Sequence, residues 1–178
     1  GAGGVSFELT GRTLATRTGT GAASASIAIG EDASSLVFLH ACEKPAQNDM
    51  AYRFIYNFDD TADLLGHYEV TYEDAFVTTI PVRYGVNVLE RTWAESGAER
   101  TYCYLADPVG IGADETFFAF EWANPRFGKA IRSVAFRAAA AFQSAAGKTS
   151  ADNTVFLRAL TVVKKRPAAD GAMAKPAP

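Results

Sequence analysis

Few residues in this sequence have the types and spacings that carry out catalysis. The sequence contains no Gly-x-Ser-x-Gly nucleophile elbow, no phosphate-binding Gly-x-x-x-x-Gly-Lys loop and no His-Glu-x-x-His zinc helix. Its adjacent carboxylates fall in predicted turns, where aspartate side chains cap backbone amides. These pairs are Glu31-Asp32, Asp59-Asp60 and Glu73-Asp74. We therefore expect no catalytic residue and predict that the protein is not an enzyme; an independent small hydrolase is the least favoured alternative.

His40, Cys42, His67 and Cys103 are residue types that bind zinc. Structural zinc sites place such ligands in close pairs, as in Cys-x-x-Cys, whereas these four positions are scattered. We therefore predict no metal site, a buried and hydrogen-bonded His40, and a His67 that opens a strand on the surface. The two cysteines are 61 positions apart. Two buried free thiols are the favoured interpretation, and a disulfide formed in an oxidising compartment is the alternative.

The composition is that of one globular domain. The chain has 178 residues, of which 48% are hydrophobic and 12% aromatic, with a net charge of −3. A single domain commonly has about 100–200 residues, and a chain this long buries a core without disulfides or metals. A pI near 5.4 argues against a nucleic-acid partner. No apolar run reaches the roughly 20 residues of a membrane helix, so we expect no membrane partner.

Alternation of apolar and polar residues, the period of a half-buried strand, dominates the central sequence. Tyr68–Tyr72 is such a run, and after turn residues Val77–Val82 follows as a second β-rich run, so the pair predicts a hairpin. Pro81 cannot donate to a strand ladder, so the second strand is expected at an edge or a bulge. Many short strands without alternating helices predict an all-β antiparallel sandwich or barrel. The other β-rich runs are Phe7–Leu9, Ala25–Ile29, Leu36–Leu39, Tyr52–Phe58, Thr101–Leu105, Thr116–Trp122 and Val155–Val163.

The segment 130–146 fits two structures. A helix is suggested by its many alanines, by Gly147 as a stop, and by an apolar stripe. That stripe consists of Ile131, Val134, Ala138, Ala141 and Phe142. The residues from Ile131 to Phe136 also alternate as a strand does. We favour a strand over 130–137, followed by a loop or short helical turn, with the helix as the alternative.

The two ends of the chain differ from its centre. Residues 1–4 are three glycines and an alanine, and residues 167–178 are rich in proline and alanine. Such segments are typical of linkers, and no signal peptide is expected at the N-terminus. We predict an N-terminal linker at 1–4, a single β-sandwich domain at 5–166, and a Pro/Ala-rich linker or tail at 167–178. This arrangement is typical of a module from a larger protein.

Aromatic residues interleaved with polar ones are the feature that most suggests binding. A sugar ring has an apolar face and a rim of hydroxyls, so its pocket combines an aromatic plate with hydrogen-bonding groups. Trp93 lies in a polar stretch where a loop is expected, and it either binds ligand there or plugs the end of the sandwich. Trp122 shares a strand face with Phe118 and Phe120 and is expected in the core. The tyrosines of this population are Tyr52, Tyr56, Tyr68, Tyr72, Tyr84, Tyr102 and Tyr104.

Four stretches of the sequence point to a family. They are SLVFLHACEKP from Ser35, HYEVTYEDAFVTTIPVRYGVNV from His67, FEWANPRFGKAIRSVAF from Phe120 and VFLRALTV from Val155. In this order they resemble the accessory galactose-binding-like β-sandwich domains of bacterial glycoside hydrolases, such as β-galactosidase-like and agarase-like enzymes. The resemblance implies a jelly-roll fold, a non-catalytic role, a structural calcium in some members, and a strand at Ile131–Phe136. Compared with that family's pattern, the alanine-rich stretch after Arg137 resembles an inserted segment.

The loop after the Pro81 strand is the predicted carbohydrate-binding site. Arg83 and Asn87 are able to hydrogen-bond sugar hydroxyls while Tyr84 or Trp93 stacks on the ring. The alternative is that Tyr84-Gly85 only forms a turn and that Arg83 pairs with a nearby acid. Asn124, which precedes Pro125, is expected to hold a turn because a residue before proline is kept extended.

The predicted function is that of a non-catalytic carbohydrate-binding module, which targets a modular polysaccharide-degrading enzyme to its glycan. The expected partners are a polysaccharide or oligosaccharide and the parent catalytic domain in cis. No cofactor is expected apart from the calcium that the resemblance implies, and the resemblance also implies an extracellular or periplasmic location. The alternative is a structural sandwich that braces or oligomerises the parent glycoside hydrolase without binding sugar, which predicts a broad exposed apolar patch.

Overall fold

The computed structural model describes residues 13–43, 64–93, 103–111, 114–140 and 153–164. Within these ranges the chain forms nine β-strands and no α-helix, which confirms the predicted all-β class for this part of the chain. In chain order the strands are β1 (Leu14–Arg17), β2 (Ile27–Glu31), β3 (Ser35–Cys42), β4 (Leu64–Tyr72), β5 (Val77–Arg83), β6 (Ala106–Ile111), β7 (Glu115–Ala123), β8 (Ile131–Ala138) and β9 (Thr154–Val163).

The strands form two antiparallel sheets. The order in the five-stranded sheet is β1-β9-β3-β7-β6, and the order in the four-stranded sheet is β2-β8-β4-β5. The Phe38 ring of β3 stacks on the Tyr68 ring of β4 with their centroids 4.2 Å apart. The two sheets therefore face each other across one core, as a β-sandwich requires. The jelly-roll connectivity and the galactose-binding likeness stay predictions.

Several features expected from the residue pattern are confirmed. β4 and β5 form the predicted hairpin, with Tyr68 opposite Ile80. Among the described strands β5 pairs only with β4, so Pro81 lies in an edge strand. The strand favoured over 130–137 is β8. The predicted strands Phe7–Leu9 and Tyr52–Phe58, the alanines from 141 to 146 and both predicted linkers lie outside the described residues.

The predicted strand at Thr101–Leu105 is wrong for its described residues, 103–105. The backbone there binds the turn after β5, because the Tyr104 N–H donates to the Gly85 carbonyl over 3.3 Å and the Leu105 N–H to the Val86 carbonyl over 2.6 Å. The strand begins only at Ala106, as β6. The pattern does not predict β6, since Pro108 within it indicates a turn, but an edge strand tolerates a residue without an N–H.

β3 is the most deeply buried strand, and all eight of its residues are buried. Its two faces contribute to two clusters. The main core receives Leu36, Phe38 and Cys42. The smaller cluster on the opposite face contains Leu39, Ala41 and Phe117. A strand that is buried on both faces has a continuous apolar sequence, which explains why Leu36–Leu39 shows no alternation. Trp122, expected in the core, is partly buried and packs against the main cluster.

Antiparallel connections gather at the two ends of the sandwich. At one end, which we call the hairpin end, the turn 73–76 lies against the turn 124–129, and the Tyr72 hydroxyl donates to Asn124 Oδ1 over 2.6 Å. At the other end, which we call the rim, the segment 84–90 lies beside both Cys42 and residues 103–105. The Cys42 N–H donates to the Leu89 carbonyl there over 2.9 Å. The predicted sugar site falls in the rim.

Candidate functional site

The rim is built on a tight turn that follows β5. Gly85 has a φ of +78°, a left-handed conformation that glycine adopts without a steric penalty. The Gly85 N–H donates to the Val88 carbonyl over 2.9 Å, and the Asn87 N–H donates to the Arg83 carbonyl over 3.2 Å. The turn at Tyr84-Gly85, weighed as the alternative to a binding loop, is therefore present.

The Asn87 side chain holds this turn against β5. Its Oδ1 accepts the Arg83 N–H over 2.9 Å, and its Nδ2 donates to the Pro81 carbonyl over 2.8 Å. The amide thus bonds to backbone groups on both sides of Val82, as the N–H and C=O of a residue in a neighbouring parallel strand would. Asn87 is buried. The amide that was expected to face sugar hydroxyls is engaged inside the fold.

His40 on β3 binds the same turn from the core. Its Nε2 lies 2.7 Å from the Asn87 carbonyl, and its Nδ1 lies 2.9 Å from the Tyr68 hydroxyl. A carbonyl only accepts hydrogen bonds, so Nε2 carries the proton and Nδ1 accepts from Tyr68. Burial lowers the pKa of His40 to about 4, so the imidazole is neutral at pH 7. The predicted buried, hydrogen-bonded His40 is confirmed.

Tyr84 is also directed into the domain. Its ring belongs to the main core cluster, and its hydroxyl donates to Glu90 Oε2 over 2.6 Å. Glu90 is buried as well, and a buried carboxylate requires such a donor to offset its lost hydration. The structure therefore uses Tyr84 to anchor the inner side of the rim, and its ring presents little surface to solvent.

Arg83 and Trp93 are the two predicted site residues that stay partly exposed. Arg83 is the last residue of β5 and lies at the start of the turn. The Trp93 indole meets the Phe118 ring edge-on, with centroids 6.0 Å apart, and packs against the main core. Trp93 thus closes this end of the sandwich while keeping part of its surface in solvent. The sugar-binding roles of Arg83 and Trp93 stay predictions.

Tyr104 is an exposed aromatic residue of the rim that was not among the predicted site residues. It is 68% exposed, and its neighbour Leu105 is 53% exposed. The backbone hydrogen bonds from 104 and 105 to Gly85 and Val86 hold both residues beside the turn. No local signal marked Tyr104, because residues 103–105 do not form a strand, and Tyr104 and Leu105 are exposed one after the other.

The hairpin end carries a second aromatic group, the Arg126 cluster, formed by Tyr72, Asp74, Phe76, Arg126 and Phe127. The Arg126 guanidinium lies over the Tyr72 and Phe76 rings, at 4.8 Å and 4.3 Å from their centroids. It also donates to both Asp74 carboxylate oxygens, which lowers the pKa of Asp74 to about 2. Phe76 is 51% and Phe127 66% exposed, so this end presents aromatic surface to solvent.

Asn124 holds the Arg126 cluster in place. Its Oδ1 accepts from the Tyr72 hydroxyl and from the Arg126 N–H, and its Nδ2 donates to the Ala33 carbonyl over 2.8 Å. The side chain is buried, and both its oxygen and its nitrogen have hydrogen-bond partners. The turn expected at Asn124-Pro125 is confirmed, with the amide as its main support.

The charged residues on the outer face of the four-stranded sheet form ion pairs with each other. Arg137 donates to both oxygens of Glu69, and this pairing lowers the pKa of the Glu69 carboxyl. His67 Nε2 lies 3.5 Å from the same carboxylate. In the described ranges no group of three or more His, Cys, Asp or Glu side chains is arranged to hold a metal ion. Those ranges also contain no helix with the length and apolarity to cross a membrane.

Replacing Asn87 by Asp tests the role of its amide. At pH 7 we expect Asn87→Asp to lower the free energy of unfolding by about 2 kcal/mol, because a carboxylate cannot donate to the Pro81 carbonyl and would bring a charge into a buried position. Below the pKa of the introduced carboxyl the loss shrinks, since the protonated group donates again. Urea unfolding at several pH values measures both effects. Asn87→Ala, which cannot ionise, is the control whose loss does not shrink.

Comparison with known proteins found no relative. No family model matches the chain, no curated protein matches it, and no solved structure matches its fold. The assignment of a function therefore depends on the geometry of the rim and of the hairpin end.

Proposed function

We propose that this chain is a non-catalytic carbohydrate-binding domain whose sugar site is the rim, with Tyr104 as the stacking ring. The observation that carries the proposal is the contrast, at this end of the sandwich, between an exposed aromatic ring and the rigid turn that supports it. Tyr104 is 68% exposed, whereas the turn beneath it is held by buried hydrogen bonds from Asn87 and His40. An exposed ring on a rigid support suits the apolar face of a sugar.

Rigidity supports this assignment because a preorganised surface loses little conformational freedom when it binds. Tyr104 and Leu105 are attached through their backbones to Gly85 and Val86. Asn87 fixes this turn to β5, and His40 fixes it to β3. Arg83 and Trp93 lie at the two ends of this turn region, and both are partly exposed. We propose that their side chains complete the site beside Tyr104.

The wider context of the proposal follows the family resemblance. A galactose-binding-like jelly-roll domain of this kind would be joined to the catalytic domain of a bacterial glycoside hydrolase and act outside the cytoplasm, in the periplasm or the medium. Its partners would be a polysaccharide or oligosaccharide and the parent catalytic domain. By holding the enzyme on its polymer, the domain raises the local concentration of cleavable bonds without breaking any.

The test is affinity electrophoresis of the full chain against a panel of polysaccharides, followed by calorimetry on each glycan that retards it. We expect Tyr104→Ala to weaken binding at least about ten-fold, because the lost ring contact is worth roughly 1.4 kcal/mol. Trp93→Ala and Arg83→Ala are expected to weaken it as well.

The matched control is Phe127→Ala. Phe127 is 66% exposed, nearly as much as Tyr104, but it lies at the hairpin end. Under the proposal this variant binds every retained glycan as the unmodified chain does. If no glycan of the panel retards the chain, or if Phe127→Ala and not Tyr104→Ala abolishes retention, the rim is not the sugar site.

A structural or interaction role is the second candidate, and the Arg126 cluster is the observation that favours it. Phe76, Val77 and Phe127 are large apolar residues exposed at one end of the sandwich, where they are able to pack on a parent domain or a second copy. This role predicts that the chain associates without glycan. Sedimentation of the chain alone, compared with Phe127→Ala, distinguishes the two candidates because only the second makes association depend on Phe127.

A further inference from the structure

The two cysteines of the chain, far apart in sequence, lie beside the same segment of the rim. Cys42 ends β3, and the segment 84–90 pairs with it, as its N–H donates to the Leu89 carbonyl over 2.9 Å. Cys103 immediately precedes Tyr104, whose N–H donates to the Gly85 carbonyl of that segment. The Cys42 side chain is part of the main core cluster, and Cys103 packs against this cluster. The fold has therefore brought both thiols to one region.

Neither cysteine is in a disulfide. The electrostatics of the Cys42 thiol support this proximity. Burial is the main cause that raises the pKa of the Cys42 thiol, followed by the negative charge of Glu90, and an ionised Cys103 adds a smaller increase. Because charge interactions of this kind weaken with distance, the effect of Cys103 on the Cys42 thiol indicates that the two side chains lie near each other. Burial also raises the pKa of Cys103, to about 12. Both groups are thus protonated thiols at neutral pH and react slowly.

We propose that Cys42 and Cys103 are a disulfide-forming pair, oxidised by a small-molecule disulfide such as oxidised glutathione. The Cys103 thiolate, from the less buried thiol, attacks one sulfur of the oxidant and releases a first glutathione thiolate. The Cys42 thiolate then attacks the Cys103 sulfur of this mixed disulfide and releases a second. One S–S bond forms in the protein and one is broken in the oxidant, while the two cysteine protons end on the two released glutathiones.

The disulfide would raise the stability of the folded chain and would also tether the rim. It closes a loop across 61 positions and removes conformations from the unfolded chain, so the oxidised form resists unfolding more strongly. It also attaches residue 103, next to Tyr104, covalently to the central strand β3. This inference is independent of what the rim binds, because its measurements are chemical linkage and stability.

The experiment uses the full chain, fully reduced and then incubated with oxidised glutathione in mildly alkaline buffer. A second sample is refolded from urea in a mixture of reduced and oxidised glutathione, which gives buried thiols access to the oxidant. Both samples are then unfolded, labelled with maleimide and mapped by mass spectrometry. We expect a linked pair of peptides containing Cys42 and Cys103, loss of both labelling sites together, and a higher urea midpoint that reductant reverses.

Cys103→Ser and Cys42→Ala are the control variants, and oxidant is expected to leave the urea midpoint of each unchanged. Three results would overturn the proposal. The first is that both thiols label fully after both treatments. The second is that glutathione stays attached to Cys103 while Cys42 remains a free thiol. The third is that the linked species has a lower urea midpoint than the reduced chain, because the crosslink would then oppose the native geometry.

Discussion

Lowering the pH from 6.5 to 4 is expected to weaken the folded state by about 3 kcal/mol through His40 alone. The imidazole is fully buried, its Nε2 donates to the Asn87 carbonyl, and the Phe38 and Phe120 rings lie beside it. A proton added at Nδ1 would place a charge in this apolar surrounding and remove the acceptor of the Tyr68 hydroxyl. The folded chain therefore takes up this proton only near pH 4.

The sign of the effect follows from the two pKa values. In the unfolded chain His40 titrates near its ordinary pKa of 6.5, and in the folded chain near 4. Between these values the unfolded state binds more protons, so the free energy of unfolding falls as the pH falls. The contribution is complete above pH 6.5 and is lost by about pH 4. The paired carboxyls of Glu69 and Asp74, whose pKa values are lowered, begin to lose their contribution only as the pH falls to their ordinary pKa values of 4.5 and 3.8.

Urea unfolding across this pH range measures the loss. In His40→Gln the side chain stays neutral, so the free energy of unfolding is expected not to fall between pH 6.5 and 4. His67→Gln is the control: it leaves the buried imidazole of His40 in place, so the free energy of unfolding still falls over this range. A direct check is an NMR titration of the two imidazoles. If His40 titrates near 6.5 in the folded protein, the imidazole is not isolated from solvent and the expected effect is absent.

Replacing Gly66 by alanine is expected to lower the free energy of unfolding by about 3 kcal/mol or more. Gly66 lies in β4, where the pairing with β5 shifts its register, and its φ is +156°. A Cβ at this position would meet the Arg137 carbonyl oxygen and would lie 2.5 Å from Phe136 Cζ. The carbonyl belongs to the backbone of β8, the next strand of the sheet, so β4 and β8 must separate to admit a methyl group.

Thermal unfolding of Gly66→Ala measures this loss, with an expected decrease in Tm of roughly 6–12 °C for a chain of this size. The matched control is Gly110→Ala in β6, because a Cβ there would meet no atom within 4 Å. We expect Gly110→Ala to change the stability by no more than about 0.5 kcal/mol. Equal losses in the two variants would show that the contact with β8 does not set the cost at Gly66.

Strand identity was largely accessible from the residue pattern. The alternation in Tyr68–Tyr72 and the β-rich run Val77–Val82 predicted the β4–β5 hairpin, and Pro81 predicted an edge strand or a bulge. These signals are local, since side chains of a strand alternate between its two faces whatever the partner strand is. β6 was missed because Pro108 has the same local signal in a turn and in an edge strand, and only the position in the sheet distinguishes them.

The candidate site shows what local sequence signals do not predict, namely which side chains are exposed. Asn87, Tyr84 and Tyr104 are all residue types that bind sugars, and the sequence offered no reason to separate them. The structure buries Asn87 against Pro81 and Arg83, buries Tyr84 against Glu90, and leaves Tyr104 exposed. The side-chain bonds of Asn87 and Tyr84 are local in sequence, but the burial of this turn also depends on distant parts of the chain, such as His40.

By itself, the sequence determined that this protein is built from short antiparallel strands with an apolar core, since hydrophobic period and turn residues act over a few neighbouring positions. It also determined which side chains are chemically able to bind, cap or crosslink. Only the tertiary structure decided which of them are available. Burial, and the position of Cys42 and of residues 103–105 beside the same segment 84–90, come from contacts between segments tens of residues apart, and no local pattern encodes such contacts.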